Sequence, residues 1–301
     1  MPEGHSIHRV ARRFAEGFLD QTLRVSSPQG RFAQGAALLD GARAISSRAH
    51  GKHFFLGFDN DLTLNVHLGM YGAWTFGGDE TFAAASSIGA PRRMAERETA
   101  GTEGDHAPAA YAGPPAPRPT TRVRLVGEHG YADLVGAAIC RVLEPTGVAA
   151  LDAQLGPDPL DPQADPEPFY AAAAATSRPI GAVLMDQKAV AGIGNIFRAE
   201  SLFRAGQHPH TPAARVPRER LELLWRDNVT LMEAAVRLGR IVTTAPEHRP
   251  GVPAERAWRE HANYVYLRHG RPCRVCGKDA IIVEHLGGRK LYWCTVCQAP
   301  R

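Results

Sequence analysis

The first regular pattern of apolar and polar positions lies near the start of the chain. Apolar side chains recur there at helical spacing, and charged side chains occupy the opposite side of the same stretch. The apolar positions are Ile7, Val10, Ala11, Phe14 and Phe18. The spacing predicts a helix over residues 6–20, with Ser6 as its N-terminal cap.

Short apolar runs separated by glycine, asparagine and aspartate follow this helix. They predict strands at residues 23–25, 44–46, 54–58, 62–66, 122–126 and 131–134. The sequence DNDL at residues 59–62 is typical of a hairpin turn. The pattern favours an antiparallel β-sandwich or barrel with flanking helices in the N-terminal part of the chain.

Two changes of composition divide the 301 residues. Residues 77–121 are rich in alanine, proline, glycine and glutamate, which predicts a disordered insertion. Residues 145–166 are rich in proline and aspartate, which predicts a hinge. We therefore expect an α+β protein with a first domain over residues 1–144, a helical domain over 167–262 and a small finger over 263–301.

The helical domain contains a glycine-rich turn. Residues 186–191 are predicted to be helical, Gly192 and Gly194 to form tight turns, and Asn195 to cap a further helix. Such a turn presents backbone N–H groups to a phosphate. A helix-turn-helix with a purely structural role has the same pattern, so both interpretations stay open. Residues 221–238 predict another helix.

Four of the five cysteines lie in the last 30 residues, and Cys140 stands apart. Two Cys-x-x-Cys pairs are separated by 17 residues, and they consist of Cys273, Cys276, Cys294 and Cys297. This spacing fits a closed structural Zn²⁺ site rather than a disulfide framework. Strand-like segments between the pairs predict a β-hairpin with Arg289 close to its tip, where it can reach a phosphate.

Charge is unevenly distributed along the chain. Residues 1–180 hold 20 acidic and 16 basic residues, whereas residues 181–301 hold 19 basic and 11 acidic residues. A basic C-terminal part favours a polyanionic partner such as nucleic acid, although a solvated surface has the same composition. No apolar run approaches the roughly 20 residues of a membrane span, and no signal peptide is evident, so we expect an intracellular protein.

The N-terminus carries candidate chemistry in Pro2 and Glu3. If Met1 is removed, Pro2 becomes a secondary α-amine of the class that titrates near ~8. Such an amine attacks an aldehyde-like carbon and gives an iminium. An ordinary start sequence is the plain alternative.

Two residues in the predicted sheet are further candidates. Lys52 is one of only four lysines against 31 arginines, and lysine transfers protons far more readily than arginine. Met70 lies between glycines on a turn, where it can either wedge between bases or fold back into the core.

Four motifs in order resemble the formamidopyrimidine-DNA glycosylase and endonuclease VIII family of base-excision repair enzymes. They read PEGH, HGKHFFLGF, DQ…AGIGNIFRAESLF and CRVCG…GGRKLYWCTVCQ. Together they cover nearly the whole chain outside residues 77–121. The resemblance implies a helix-two-turn-helix domain, a zinc finger that holds one structural Zn²⁺, and damaged double-stranded DNA as the partner of a bacterial, cytoplasmic monomer.

The resemblance also implies residue roles. Pro2 is expected as the Schiff-base nucleophile, Glu3 as the neighbouring acid/base, and Lys52 as a proton donor or phosphate ligand. Asn195 and Met70 are expected to contact DNA. Arg289 matches the finger arginine of δ-elimination, and we interpret it as a phosphate clamp because a guanidinium is a poor proton donor.

One departure bears on the substrate. The purine-specific branch has residues like DPRRFG after the later strands, whereas this chain has YADLVGAAIC at residues 131–140. This difference favours the endonuclease VIII branch and therefore oxidised pyrimidines. The sequence HLGMYG, by contrast, is closer to that of the purine branch. The alternatives are a zinc-finger protein that binds lesions without cutting, the same chemistry on oxidised purines, and an N-terminal-proline tautomerase, which leaves the finger unexplained.

Overall fold

The computed structural model describes residues 2–79, 82, 86–89, 113–258 and 260–300. The chain folds into two compact units, residues 1–153 and residues 154–301. Each unit has its own hydrophobic core.

The first unit contains two antiparallel sheets and three helices within its described residues. The helices are α1 (Gly4–Phe18), α2 (Ala33–Leu39) and α3 (Pro145–Asp152), and the strands are β1 (Arg24–Ser26), β2 (Ala44–His50), β3 (His53–Phe58), β4 (Thr63–His67), β5 (Ala73–Gly78), β6 (Ser86–Gly89), β7 (Thr121–Val126), β8 (Gly130–Val135) and β9 (Ile139–Leu143). Among the described strands, one sheet has the order β1-β7-β8-β5-β6 and the other β2-β3-β4-β9. The predicted β-sandwich with flanking helices is confirmed.

Helix α1 packs its apolar stripe into the core of this unit. The ring of Phe14 lies 4.8 Å from that of Phe54 and 4.9 Å from that of Trp74, and Phe18 is also fully buried. Burying each such side chain stabilises the fold by roughly 1.5–3 kcal/mol. The helix begins at Gly4, not at Ser6, and Glu3 is its N-cap residue. The predicted cap was therefore three residues too far along, and the helix starts directly after Pro2 and Glu3.

The predicted insertion over residues 77–121 is wrong at its edges. Gly77 and Gly78 end β5, and residues 86–89 form β6, which pairs with β5. Phe82 and Ile88 are buried in the core, so sparse apolar residues hold this segment against the sheet. Residues 90–112 lie outside the described residues.

The second unit is mainly helical and ends in a hairpin. Its elements are α4 (Glu167–Ala174), α5 (Ile180–Val183), α6 (Asn195–Arg204), α7 (Arg218–Leu238), β10 (Ile281–Leu286) and β11 (Arg289–Cys294), with short 3₁₀ helices at Ala213–Arg215, Pro246–His248 and Ala254–Arg256. Helices α6 and α7 share one core with α4 and α5. This arrangement matches the predicted helical domain followed by a β-hairpin.

Two expectations about the middle of the chain were wrong. Residues 145–152 of the predicted hinge form α3, which begins with proline at its first position, and Asp152 at its end accepts hydrogen bonds from Arg48 and contacts His50. Residues 186–191 form turns and not a helix, and Gln187 explains this difference. Its side-chain amide donates to the carbonyl of Ile193 and accepts from the N–H of Gly192. A side chain that bonds the local backbone competes with helix formation.

Within residues 2–79, 82, 86–89, 113–258 and 260–300, no helix combines the length and the apolar character that crossing a membrane requires.

Candidate active site and metal centre

Pro2 and Glu3 are buried at the N-terminus of α1. Glu3 is only 1% exposed, and its carbonyl accepts a hydrogen bond of 2.9 Å from the N–H of Ser6. Its backbone is extended, with φ −124° and ψ −177°. The first turn of a helix presents unpaired N–H groups and a partial positive charge, which favour an anionic group. The predicted nucleophile and acid/base are therefore adjacent in an enclosed, anion-favouring place.

His5 lies in the first turn of the same helix. It is 4% exposed, and its Nε2 lies 3.2 Å from the hydroxyl of Ser6. Burial, with the nearby charge of Arg9, lowers the pKa of His5 to about 3. The imidazole beside Pro2 and Glu3 is consequently neutral across the physiological range, and it adds no positive charge to this site.

Lys52 occupies the tight turn between β2 and β3, after Gly51 in the left-handed region with φ 57°. The pKa of His67, at the end of β4, is lowered first by burial and then by the positive charge of Lys52. The ring of His53 lies 5.0 Å from that of His67, and burial lowers the pKa of His53 to about 4. Lys52 is thus set beside neutral imidazoles.

The N–H of Gly69 donates a 3.1 Å hydrogen bond to Nδ1 of His67. That bond places the proton of the neutral imidazole on Nε2, so Nε2 of His67 is a donor.

Met70 lies at the tip of the turn that follows β4. It is 43% exposed, and Tyr71 beside it is 73% exposed. Gly69 has φ 66°, and a Cβ there would meet Cβ of Ala138 at 2.8 Å, so glycine is required. A large part of the Met70 side chain faces outward and not into the core. Tyr71, which the sequence analysis did not single out, is a second outward-facing apolar group on the same turn.

The segment that differs from the purine branch is a short crossover. Strand β8 ends at Val135 and β9 begins at Ile139, so the three residues 136–138 join these two strands, which belong to different sheets. Ala137 is 6% exposed, and the N–H of Ala138 donates to the carbonyl of His67 at 3.0 Å. This crossover has neither an arginine nor the length of an extended loop.

In the second unit, the glycine-rich turn leads directly into α6. Gly192 has φ 85°, and Gly194 is the N-cap, so Asn195 is the first helical residue and not the cap that the sequence predicted. The side-chain amide of Asn195 donates a 2.8 Å hydrogen bond to the carbonyl of Lys290. The start of α6 is therefore joined to the hairpin of β10 and β11.

The tip of that hairpin consists of Gly287 and Gly288. Both adopt the left-handed region, with φ 62° and 72°, which L-residues with side chains rarely adopt. Leu286 pairs with Arg289 across the turn, and the side chain of Arg289 is exposed. The predicted finger arginine thus lies at the open end of the hairpin, one residue from the carbonyl that Asn195 contacts.

The four cysteines of the finger converge. Their Sγ atoms all lie within 4.8 Å of one another, and the pairs Cys273–Cys297 and Cys276–Cys294 are each 3.8 Å apart. A tetrahedral Zn²⁺ with Zn–S bonds of about 2.3 Å requires sulfur atoms about 3.8 Å apart. A disulfide requires about 2.05 Å. The residues are thus positioned to bind a metal ion, and Cys140 lies in the other unit.

Sequence reasoning missed two buried charged residues of α6. Glu200 accepts hydrogen bonds from the N–H groups of Tyr264, Val265 and Tyr266 at 2.7–2.9 Å, and from the hydroxyl of Thr243. Arg198 is fully buried and donates to the hairpin. Their signal was two charged positions among the apolar residues of this helical segment.

The predicted site residues fall into two sets. Pro2, Glu3, Lys52 and Met70 belong to the first unit, and Asn195, Arg289 and the four cysteines belong to the second.

An N-terminal sandwich that begins with a buried Pro-Glu, followed by a helical unit with a four-cysteine hairpin, defines a class of DNA-repair glycosylase. The family models agree: the formamidopyrimidine-DNA glycosylase N-terminal domain matches residues 1–129, and the H2TH domain of the same glycosylase matches residues 155–247. The chain belongs to the formamidopyrimidine-DNA glycosylase and endonuclease 8 family, whose members are DNA glycosylases with AP lyase activity.

Individual relatives within this family are similar to the chain over nearly its whole length. The chain is 38% identical over 298 residues to Endonuclease 8 1 of Mycobacterium tuberculosis, covering 99% of this chain and 100% of that protein. It is 30% identical to the formamidopyrimidine-DNA glycosylase of Methylococcus capsulatus, covering 99% and 98%. A solved complex of Lactococcus lactis Fpg with DNA containing an abasic site has the same fold, with a TM-score of 0.73, 18% identity and coverage of 99% and 100%. The family predicted from the motifs is confirmed.

Proposed function

We propose that this protein excises oxidised pyrimidines from double-stranded DNA and then cuts the strand by β,δ-elimination, with Pro2 as the nucleophile. The observation that carries the proposal is the enclosure of Pro2 and Glu3 at the positive end of α1, in a chain that matches Endonuclease 8 1 over its full length.

The chemistry begins at the N-terminal amine. Once Met1 is removed, the nitrogen of Pro2 attacks C1′ of the damaged nucleotide, the base leaves, and an iminium remains. Glu3 assists by moving protons at the sugar as general acid/base. Burial keeps the neighbouring His5 imidazole neutral, so this imidazole carries no charge in the site.

Strand cleavage follows from the iminium, which acidifies the C2′ proton. Loss of that proton expels the 3′ phosphate in β-elimination, and Lys52 donates a proton or holds the phosphate during this step. Arg289 clamps the second phosphate through its guanidinium and stabilises the charge that develops in δ-elimination.

DNA recognition uses both units. The damaged nucleotide must leave the stack to reach Pro2, and the half-exposed side chain of Met70 fills the space that it vacates. The backbone N–H groups at the start of α6, beside Asn195, bind a phosphate. The basic composition of residues 181–301 supports this assignment. We expect a monomer that acts on DNA in the bacterial cytoplasm.

The finger holds one structural Zn²⁺ through Cys273, Cys276, Cys294 and Cys297. The sulfur separations of 3.8 Å support tetrahedral coordination. Burial raises the pKa of the Cys294 and Cys297 thiols, so a bound cation is what would keep them as thiolates. With four sulfur ligands the ion has no open position, and its contribution is to fold the hairpin.

The substrate preference rests on the crossover between β8 and β9. An arginine that faces the orphan base needs a projecting loop, whereas residues 136–138 form a three-residue connection whose middle residue, Ala137, is buried. This supports oxidised pyrimidines over oxidised purines, as does the identity to Endonuclease 8 1.

Borohydride trapping tests the proposal. Borohydride reduces an iminium to a stable crosslink, so the wild-type protein should be trapped on duplexes containing an abasic site or thymine glycol, with the adduct mapped to Pro2. Pro2→Ala should lose most of the crosslink and keep its affinity for the abasic duplex. Lys188→Met serves as the control, because any lysine amine can form an imine slowly.

Three outcomes contradict parts of the proposal. A crosslink on 8-oxoguanine but not on thymine glycol would reverse the substrate preference. A crosslink that maps to another residue would remove Pro2 as the nucleophile. Binding without a crosslink on any duplex would favour a lesion-binding protein that does no chemistry.

A further inference from the structure

Arg198 is a buried arginine on α6 that has no role in the proposed chemistry. It lies three residues after Asn195, and side chains at that spacing share one face of a helix. It is fully buried. Removing a guanidinium from water costs several kcal/mol, roughly, unless hydrogen bonds replace the hydration. The hydrogen bonds that Arg198 makes within the protein must therefore replace this hydration.

The guanidinium contacts both sides of the hairpin tip. Its Nη1 donates to the carbonyl of Leu286 at 3.1 Å, and its Nη2 donates to the carbonyl of Lys290 at 3.2 Å. These two carbonyls flank the Gly287–Gly288 turn and Arg289. One planar group therefore holds the end of β10 and the start of β11 together against α6.

Nη2 of Arg198 also donates to Oδ1 of Asn195 at 2.5 Å, while Nδ2 of Asn195 donates to the carbonyl of Lys290. The three groups form a closed set of hydrogen bonds. The orientation of the Asn195 amide is thereby fixed, and the start of α6 is joined to the finger tip by these bonds.

The β10–β11 ladder forms without this contact, because six residue pairs already join the two strands. What Arg198 adds is the direction in which the tip points relative to the start of α6. Gly287 and Gly288 carry no side chain that would restrain the tip, since no heavy atom lies within 4 Å of a Cβ built at either position. The restraint comes from the Arg198 guanidinium, which contacts both strands, and from the Asn195 amide, which contacts β11 alone.

We propose that Arg198 is a positioning residue that orients the finger arginine, Arg289, for δ-elimination. The inference rests on the proposed function, since it assigns to Arg289 the phosphate expelled in the second cleavage. A fixed tip sets the Arg289 guanidinium at one place relative to the phosphate bound at the start of α6. A displacement of about 1 Å in such a group costs up to about 100-fold in rate.

The test compares Arg198→Met and Arg198→Lys with the full-length, metal-loaded wild type on a duplex with a preformed abasic site. Three quantities are measured for each: metal content, the borohydride crosslink at Pro2, and the ratio of δ- to β-elimination products. Arg289→Ala defines the ratio expected when the clamp is absent. Arg268→Met is the matched control, since Arg268 is also buried and donates to the carbonyls of Tyr264 and Pro272, away from the tip.

Arg198→Met should keep the metal and the crosslink, and its δ-to-β ratio should fall by at least about 10-fold, toward that of Arg289→Ala. Arg198→Lys, which reaches fewer of the carbonyls, should give an intermediate ratio. Arg268→Met should keep the wild-type ratio even if it lowers the melting temperature.

A wild-type ratio in Arg198→Met, with the ratio lost in Arg289→Ala, would overturn the inference and leave the proposed function intact. Should Arg198→Met not fold, a wild-type ratio in Arg198→Lys overturns it equally. A wild-type protein that makes only the β product, or an Arg289→Ala variant with an unchanged ratio, would contradict the role given to Arg289 in the proposed function itself.

Discussion

The amide of Asn195 and the carbonyl of Lys290 are joined by a 2.8 Å hydrogen bond between residues 95 positions apart in sequence. This bond connects the first residue of α6 to the second residue of β11. Asn195 and Arg289 are both expected to contact phosphates. The bond between Asn195 and Lys290 sets their spacing before DNA binds. Preorganisation of this kind lowers the entropic cost of binding.

Glu3→Gln should separate the two activities. The amide cannot transfer protons, so release of thymine glycol should fall by roughly 10²- to 10⁴-fold. The crosslink to a duplex with a preformed abasic site should remain within a few fold of wild type, because no base has to leave. Glu16→Gln is the control on the same helix, since the Glu16 side chain is 56% exposed. Full base release by Glu3→Gln would contradict the acid/base role.

Lys52→Arg distinguishes a proton donor from a phosphate ligand. Arginine keeps the charge and remains protonated, so affinity for the abasic duplex should hold while β-elimination slows by about 100-fold. Single-turnover cleavage of a preformed abasic site measures this rate. Lys188→Arg, in the second unit, should cleave like wild type. Unchanged cleavage by Lys52→Arg would mean that Lys52 supplies only charge.

Cys294→Ser should lose the metal, because serine is a poor zinc ligand and one of the four sulfur atoms is removed. The hairpin would then lose its order, and affinity for lesion-containing duplexes should fall together with the metal content. Elemental analysis and a binding titration measure both. Cys140→Ser should keep the metal, since Cys140 lies in the other unit and burial raises its pKa to about 12. Full lesion binding by metal-free protein would exclude the finger from recognition.

Acid should destabilise the fold through His53. Burial, followed by the charges of His67 and Arg141, lowers the pKa of His53 to about 4, below the ~6.5 of an unfolded chain. The folded state therefore binds this proton less tightly. The contribution of His53 to the free energy of unfolding is complete above pH ~6.5 and is lost as the pH falls toward 4. The loss is on the order of 2 kcal/mol between pH 7.5 and 5.

Denaturant titrations at those two pH values measure this loss, and His53→Gln should reduce it. His129→Gln is a control of opposite sign. The hydrogen bond that the His129 ring donates to the Asp79 carboxylate raises the pKa of His129, so its contribution is present at low pH and is lost as the pH rises. A wild-type pH dependence in His53→Gln would show that other groups cause the acid loss.

Much of the fold follows from local patterns. Alternating apolar residues located most strands of the sandwich, and cysteine spacing located the finger, because both depend on residues that are close in sequence. Helix α2 was missed because its sequence, AQGAALL, contains a glycine. That glycine is explained only by packing: a Cβ at Gly35 would meet the ring of Phe32 at 2.3 Å.

The candidate site was partly predictable for the same reason. Pro2, Glu3 and the four cysteines are recognisable from adjacent residues or fixed spacing. The contacts of Arg198 join residues about 90 positions apart, and no periodicity reports them. The turn at residues 186–191 was misassigned because the bonds of one side chain, Gln187, override the helical preference of its neighbours.

Under the proposed function, the closed set of hydrogen bonds among Arg198, Asn195 and Lys290 thermodynamically links metal binding at the finger to DNA binding at the start of α6. The free energy that a bound metal contributes by ordering the hairpin would also stabilise the start of α6. Linkage is reciprocal, so DNA bound there must tighten the metal by the same factor by which the metal tightens DNA. The protein should therefore bind its metal more tightly on DNA than in free solution, and at equilibrium a chelator should remove the metal mainly from molecules that are not bound to DNA.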